Sequence, residues 1–91
     1  MAAVRLVISG RVQGVGFRAF VERQALRRGL RGWVRNRRDG TVEALLIGDE
    51  AALREIEDAC RRGPSLAVVT HLNRFEATDD ESHRFEAHPT E

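Results

Sequence analysis

LRGWVRNRRDGTVEALLI, residues 30–47, is the stretch that decides the fold. LRGWVRNR at 30–37 reads as a strand, and TVEALLI at 41–47 reads as its return. Between them lies Asp39-Gly40. Such a pair, flanked by strand-like runs, signals a hairpin because glycine accepts the positive φ that tight turns need. The two strands are therefore expected to be antiparallel neighbours.

Working outward, each end of the hairpin meets a helix-like segment. Upstream is AFVERQALRRG, residues 19–29. Phe17, Val21 and Ala25 fall at i, i+4 and i+8, with Phe20 beside them. Arg27 and Arg28 suit the negative end of the helix dipole, and Gly29 suits the residue just past the end. Downstream is DEAALREIEDACRRG, residues 49–63, with Asp49 and Glu50 at its start, Arg61 and Arg62 at its end, then Gly63-Pro64. Ala52, Leu53, Ile56, Ala59 and Cys60 form its apolar stripe. VRLVIS at 4–9 alternates, with Val4, Leu6 and Ile8 on one face and Arg5 and Ser9 on the other. AVVTHLNRFE at 67–76 and HRFEAH at 83–88 supply two more strands, with Phe85 and Ala87 on one face of the last.

The order β-α-β-β-α-β-β predicts two right-handed crossovers around a central hairpin. That is an α+β, ferredoxin-like split βαβ sandwich: a mostly antiparallel sheet with two helices on one face. The short fifth strand is expected as an extra edge whose position the pattern does not fix.

Ninety-one residues, 42% apolar, suffice for one domain spanning 1–91 with one core. Fifteen basic residues against fourteen acidic ones give a formal net charge of +1, which argues against a dedicated nucleic-acid binder. Every basic residue is arginine, so chemistry that needs a Schiff-base or phosphate-binding lysine is excluded. Cys60 is the single cysteine and allows no internal disulfide. No run is long enough to span a membrane, and MAAVRLVISG lacks a signal-peptide layout. A soluble, cytoplasmic monomer is expected, with Thr78–Glu81 as an exposed acidic connection.

GRVQGVGFR, residues 10–18, joins the first strand to the first helix. Such a junction presents unpaired N–H groups and a partial positive charge. Arg18 adds a forked cation that matches two oxygens of a phosphoryl group. The alternative is a loop that merely needs positive φ at three places, with an arginine paired to a carboxylate. Gly14, Gly16 and Ala19 also imitate a dinucleotide-binding G-x-G-x-x-A. That reading fails because Arg11-Val12-Gln13 intervene after the strand, the second strand ends in Asn36, and that strand returns through a hairpin. A Walker loop fails for want of Lys-Ser/Thr.

GRVQGVGFR at 10–18, followed by GLRGWVRNRRDGTVEA at 29–44, resembles the acylphosphatase family. The family pairs a V-Q-G-V-x-F-R loop with a G-W-V-x-N-x-x-D-G hairpin, and both are complete here. The second half matches more loosely, through its helix, Gly63-Pro64 and the ending around Phe85. The resemblance implies hydrolysis of a small-molecule acyl phosphate to a carboxylate and inorganic phosphate, with no cofactor, no metal and no covalent phosphoenzyme. It places the phosphate-binding arginine at Arg18 and the water-orienting asparagine at Asn36. It places the phosphate-binding amides on Gln13, Gly14, Val15, Gly16, Phe17 and Arg18.

Other conspicuous residues carry plainer readings. Phe17 is expected as a core anchor of the loop, and Trp33 as a structural residue on the face opposite Val34. His71, His83 and His88 lack ligand spacing, and Cys60 lies on the apolar helix face. Arg35, Arg37 and Arg38 flank the site and are expected as solvated hairpin charges, the alternative being that they raise the local potential and steer anions. Three other functions remain open at this point. An RNA-recognition sandwich would need exposed aromatics on the central strands, and VRLVIS has none. The others are a phosphate sensor without turnover and a domain like that of larger carbamoyl-transfer enzymes.

Overall fold

In the computed structural model, which describes residues 1–91, seven elements follow the expected order. They are β1 (Ala2–Arg11), α1 (Phe17–Arg27), β2 (Arg31–Asn36), β3 (Val42–Gly48), α2 (Glu50–Arg62), β4 (Val68–Glu76) and β5 (Phe85–Ala87). They form a single sheet with strand order β4-β1-β3-β2-β5. The hairpin forms as expected, with Arg31 opposite Ile47 and Asn36 opposite Val42. β1 pairs antiparallel with both β3 and β4, and β2 pairs with both β3 and β5, so β3 is the middle strand with β1 and β2 on either side.

Three elements differ from the sequence expectation by two residues or more at an end. β1 extends beyond 4–9 at both ends. Ala2 and Ala3 pair with Gly48 and Ile47, while Gly10 and Arg11 pair with Val69 and Val68 past a bulge between Ser9 and Gly10. α1 begins at Phe17 rather than residue 19, because the left-handed turn at Gly16 releases the chain directly into the helix. β5 is only three residues long and runs parallel to β2, with Gly32 opposite Phe85. Phe85 is buried, whereas Ala87, expected on the same face, is exposed.

The chain crosses from β4 at one sheet edge to β5 at the other through residues 77–84. The Ala77 amide donates to the Ala3 carbonyl at 3.1 Å. Arg31 meets Asp79 at 2.6 Å and donates to the Ser82 carbonyl at 2.6 Å. The segment therefore closes over one end of the sheet.

Alternation in the strands and the helical stripes meet in one core. Val4, Leu6, Ile8, Val34, Val42, Ala44 and Leu46 pack against Phe17, Val21, Ala25, Leu53, Ile56 and Cys60. α1 ends in a Schellman arrangement: Leu30 N–H donates to the Ala25 carbonyl and Gly29 N–H to that of Leu26. Glu43, Leu45 and Ile47 on the opposite face of β3 are buried as well. Arg5 and Arg35 bind the Glu43 carboxylate there at 3.1 and 2.8 Å. They also lie over the rings of Phe75 and Trp33, at 4.5 and 4.6 Å. This corrects the expectation for Arg35, which is a strand-face arginine engaged with Glu43 and Trp33, not a free charge beside the loop. No helix is long and apolar enough to cross a membrane.

Candidate active site

The glycine-rich segment leaves the sheet after β1 and enters α1 at Gly16, whose φ of 80° and ψ of 21° are left-handed. Gly14 shares that character, with φ 73°. A Cβ at either position would meet nothing within 4 Å. Backbone conformation, rather than lack of space, is therefore what requires glycine there. No side chain caps α1 and its first turn carries no acid. The first helical bond runs from the Phe20 N–H to the Gly16 carbonyl at 3.0 Å. The amides of Phe17, Arg18 and Ala19 thus lie at an uncapped, electropositive helix start.

Phe17 anchors this turn. Its ring is buried, stands edge-on to Phe20 at 5.8 Å and abuts Gly63 at the end of α2. Arg18 then points back along the sheet edge, where its Nη1 donates to the His88 carbonyl at 3.0 Å. It is the only partly buried arginine with no carboxylate partner. One donor of five is used within the chain, which leaves the fork available to an anion.

Arg18 shares a cavity of about 210 Å³ with Val12, Gly14, Gly16, Phe17, Ala19 and Asn36. Asn36 comes from the last position of β2, and its side chain makes no hydrogen bond within the chain. Its carbonyl accepts from the Glu91 N–H at 3.0 Å, and the Arg38 N–H donates to the Glu91 carbonyl at 2.9 Å. With the His88 N–H donating to Val34 at 2.8 Å, the tail follows β2 as far as the hairpin. The cavity suits a small anion. It falls below the ~300–1,000 Å³ of pockets for drug-sized ligands, and so is too small for a dinucleotide.

Sequence reasoning therefore brought together Gly14, Gly16, Phe17, Arg18 and Asn36. Gln13 and Val15 do not line the cavity. The Gln13 side chain is turned toward the hairpin, donating to the Arg37 and Thr41 carbonyls at 2.7 and 2.9 Å. Sequence reasoning missed the Val12 and Ala19 walls and the His88 carbonyl. Val12 opens the motif and Ala19 directly follows it, so they could have been inferred, but a backbone acceptor seventy residues from its donor leaves no sequence signal.

The hairpin tip has three residues, 38–40, between the bonded pair Arg37 and Thr41. Only Gly40 in this tip takes positive φ, 93°. Asp39 accepts from the Thr41 hydroxyl and amide at 2.6 and 3.0 Å, and the hydroxyl bond, then the amide bond, hold its carboxyl below the usual range. Trp33 lies on the helix-free face, stacked on His88 at 5.9 Å. His71, His83 and Cys60 do not line the cavity.

A family model described as Acylphosphatase matches residues 4–87. A protein named acylphosphatase from Rhodopseudomonas palustris (strain BisB18) is 61% identical over 69 residues, 76% of this chain and 70% of that protein. A crystal structure of acylphosphatase from Bacillus subtilis superposes with a TM-score of 0.92 at 43% identity, covering 96% of this chain and 98% of that one. A crystal structure of full-length HypF in the phosphate- and nucleotide-bound form gives a TM-score of 0.86 at 30% identity, covering 98% of this chain but 12% of that one.

Proposed function

Because the chain belongs to the acylphosphatase family and hydrolyses acyl phosphates, we propose that its glycine loop and Arg18 hold the phosphoryl group while Asn36 orients the attacking water. The observation that carries this reading is the shared cavity. A guanidinium with no carboxylate partner and an uncapped helix start, both from the loop–α1 junction, meet there an unbonded carboxamide from the end of β2.

The chemistry asks little else of the protein. An acyl phosphate expels a carboxylate, a good leaving group, so no general acid is needed. Water attacks phosphorus in line, the bond from phosphorus to the acyl oxygen breaks, and its electron pair leaves with the carboxylate. The water's proton passes to a phosphoryl oxygen, giving dihydrogen phosphate. Asn36 can accept a hydrogen bond from the water and donate one to an oxygen, but it is no base. Catalysis then rests on positioning and charge stabilisation by Arg18 and the amides of the cavity-lining Gly14, Gly16, Phe17 and Arg18. Residues 1–91 act as one domain in this scheme.

The RNA-binding alternative gains no support from the sheet. The helix-free face of β1 and β3 presents Arg5, Val7, Ser9, Glu43, Leu45 and Ile47, with no aromatic. The aromatic side chains that β2 and β4 add to this face, Trp33 and Phe75, already carry arginines.

Acetyl phosphate hydrolysis tests the proposal. Arg18→Ala and Arg18→Lys should abolish measurable turnover, because an ammonium cannot reproduce the fork. Asn36→Ala should lower kcat by about 10²-fold or more, in the range of a lost oxyanion donor, with little change in inhibition by phosphate. Near-normal turnover in either Arg18 variant would overturn the site; an unchanged kcat in Asn36→Ala would overturn only the water-orienting role. Chelator should leave the rate unchanged.

A further inference from the structure

Of the candidate residues, Gln13 stands beside the cavity yet turns its side chain away from it. The cause lies in how the loop leaves the sheet. The β1–β3 ladder ends at Ile8 opposite Val42, and past the bulge β1 pairs only with β4. The loop carrying Gly14 and Gly16 therefore has no strand pairing to the hairpin carrying Asn36. The hydrogen bonds that join them are the two donated by Gln13 Nε2, to Arg37 O at 2.7 Å and Thr41 O at 2.9 Å.

Both acceptors are informative. Arg37 directly follows Asn36, and Arg37 and Thr41 are the bonded pair at the neck of the hairpin tip. One carboxamide thus bridges both sides of the neck. Its orientation is fixed by chemistry, since the flipped amide would set Oε1 against two carbonyl oxygens.

We propose that Gln13 is a positioning residue that clamps the phosphate-binding loop to the hairpin and so holds Asn36 at the right distance from the bound phosphoryl group. This rests on the reading that Asn36 orients the water. The clamp leaves Arg18 and the helix start untouched, so it governs where water sits rather than whether phosphate binds. Small misplacements of that kind cost rate steeply.

A double-mutant cycle in the full chain tests this. Gln13→Ala should lower kcat about 10-fold or more while the inhibition constant for inorganic phosphate changes less than about 3-fold. In the Asn36→Ala background the same change should lower kcat less than about 2-fold, because residues acting as one unit are not additive. Gln13→Glu keeps the size but loses the donor. Its rate relative to the unsubstituted enzyme should rise as pH falls from about 7.5 to about 5, as protonation restores one O–H donor.

Equal losses of kcat in both backgrounds would overturn the clamp while leaving the Asn36 role standing. So would an unchanged kcat in Gln13→Ala accompanied only by a lower urea midpoint. A flat pH ratio for Gln13→Glu would overturn the donor role. An unchanged kcat in the single Asn36→Ala variant would remove the water-orienting role and this proposal together, and that variant is measured separately.

Discussion

Cys60 and Arg18 show how differently two reactive side chains can be used by one small chain. Cys60 is fully buried against the sheet, and that burial pushes its thiol up to about 12, more than the nearby Arg28 charge can offset. A thiol in that state is a core residue and no nucleophile. Ellman's reagent should therefore find no thiol in the native protein within minutes and one equivalent in denaturant; prompt labelling of the native form would contradict this. Arg18 is the opposite case. It is half-buried and oriented by a carbonyl, without a carboxylate to neutralise it. A neutral acceptor fixes the direction of the guanidinium and leaves its charge uncompensated, as the proposed phosphate-binding role requires.

At the scale of elements, the two helices divide the labour. α1 has a modest apolar face, and its uncapped start opens into the cavity. α2 has acid in its first turn and arginines in its last. It buries Leu53, Ile56, Ala59 and Cys60, and contributes nothing to the cavity. Arg74 of β4 ties it down by reaching Glu50 and Glu57 at 2.7 and 3.3 Å. Ile56→Ala should thus cost about 2–5 kcal/mol in urea unfolding, the usual range for a large-to-small core change. Its kcat well below the unfolding transition should be unchanged. A large kcat loss in a folded Ile56→Ala protein would show that α2 shapes the site after all.

For the whole molecule, acid is the informative perturbation. Asp79 is held low mainly by its bond to Arg31, Glu50 by Arg74, Asp39 by the Thr41 hydroxyl and Asp80 by the Ser82 hydroxyl. Each carboxyl ionises more readily folded than unfolded. Its contribution is therefore complete above the unfolded values of about 3.9 for Asp and 4.3 for Glu, and is lost as pH falls through the lower folded values. All four are exposed, so each effect is small. The urea midpoint should be level from about pH 7 to about pH 5 and then decline below about pH 4. A midpoint that rises below pH 4 would reverse the assignment. Asp79 and Asp80 hold the 77–84 crossing and Asp39 the hairpin tip, so the sheet's two ends should loosen first on acidification.

Much of this protein was legible in its residues. The hairpin followed from Asp39-Gly40 between strand-like runs, and the core from 2- and 3.6-residue periods in β1, α1 and α2. Those are local signals, set by backbone sterics and by which side chains one face presents. The loop's backbone was legible for the same reason, because glycines at a strand-to-helix junction signal left-handed conformations, whereas the phosphate-binding role proposed for Arg18 came from the family resemblance. What depended on tertiary structure was long-range. β5 lies parallel to β2, Arg35 is engaged by Glu43 rather than the site, His88 offers its carbonyl to Arg18, and Gln13 spans from loop to hairpin. Each is fixed by partners 8 to 70 positions away in the chain, several of them backbone atoms that every residue possesses. A sequence specifies such contacts only through the fold that brings them within hydrogen-bonding reach.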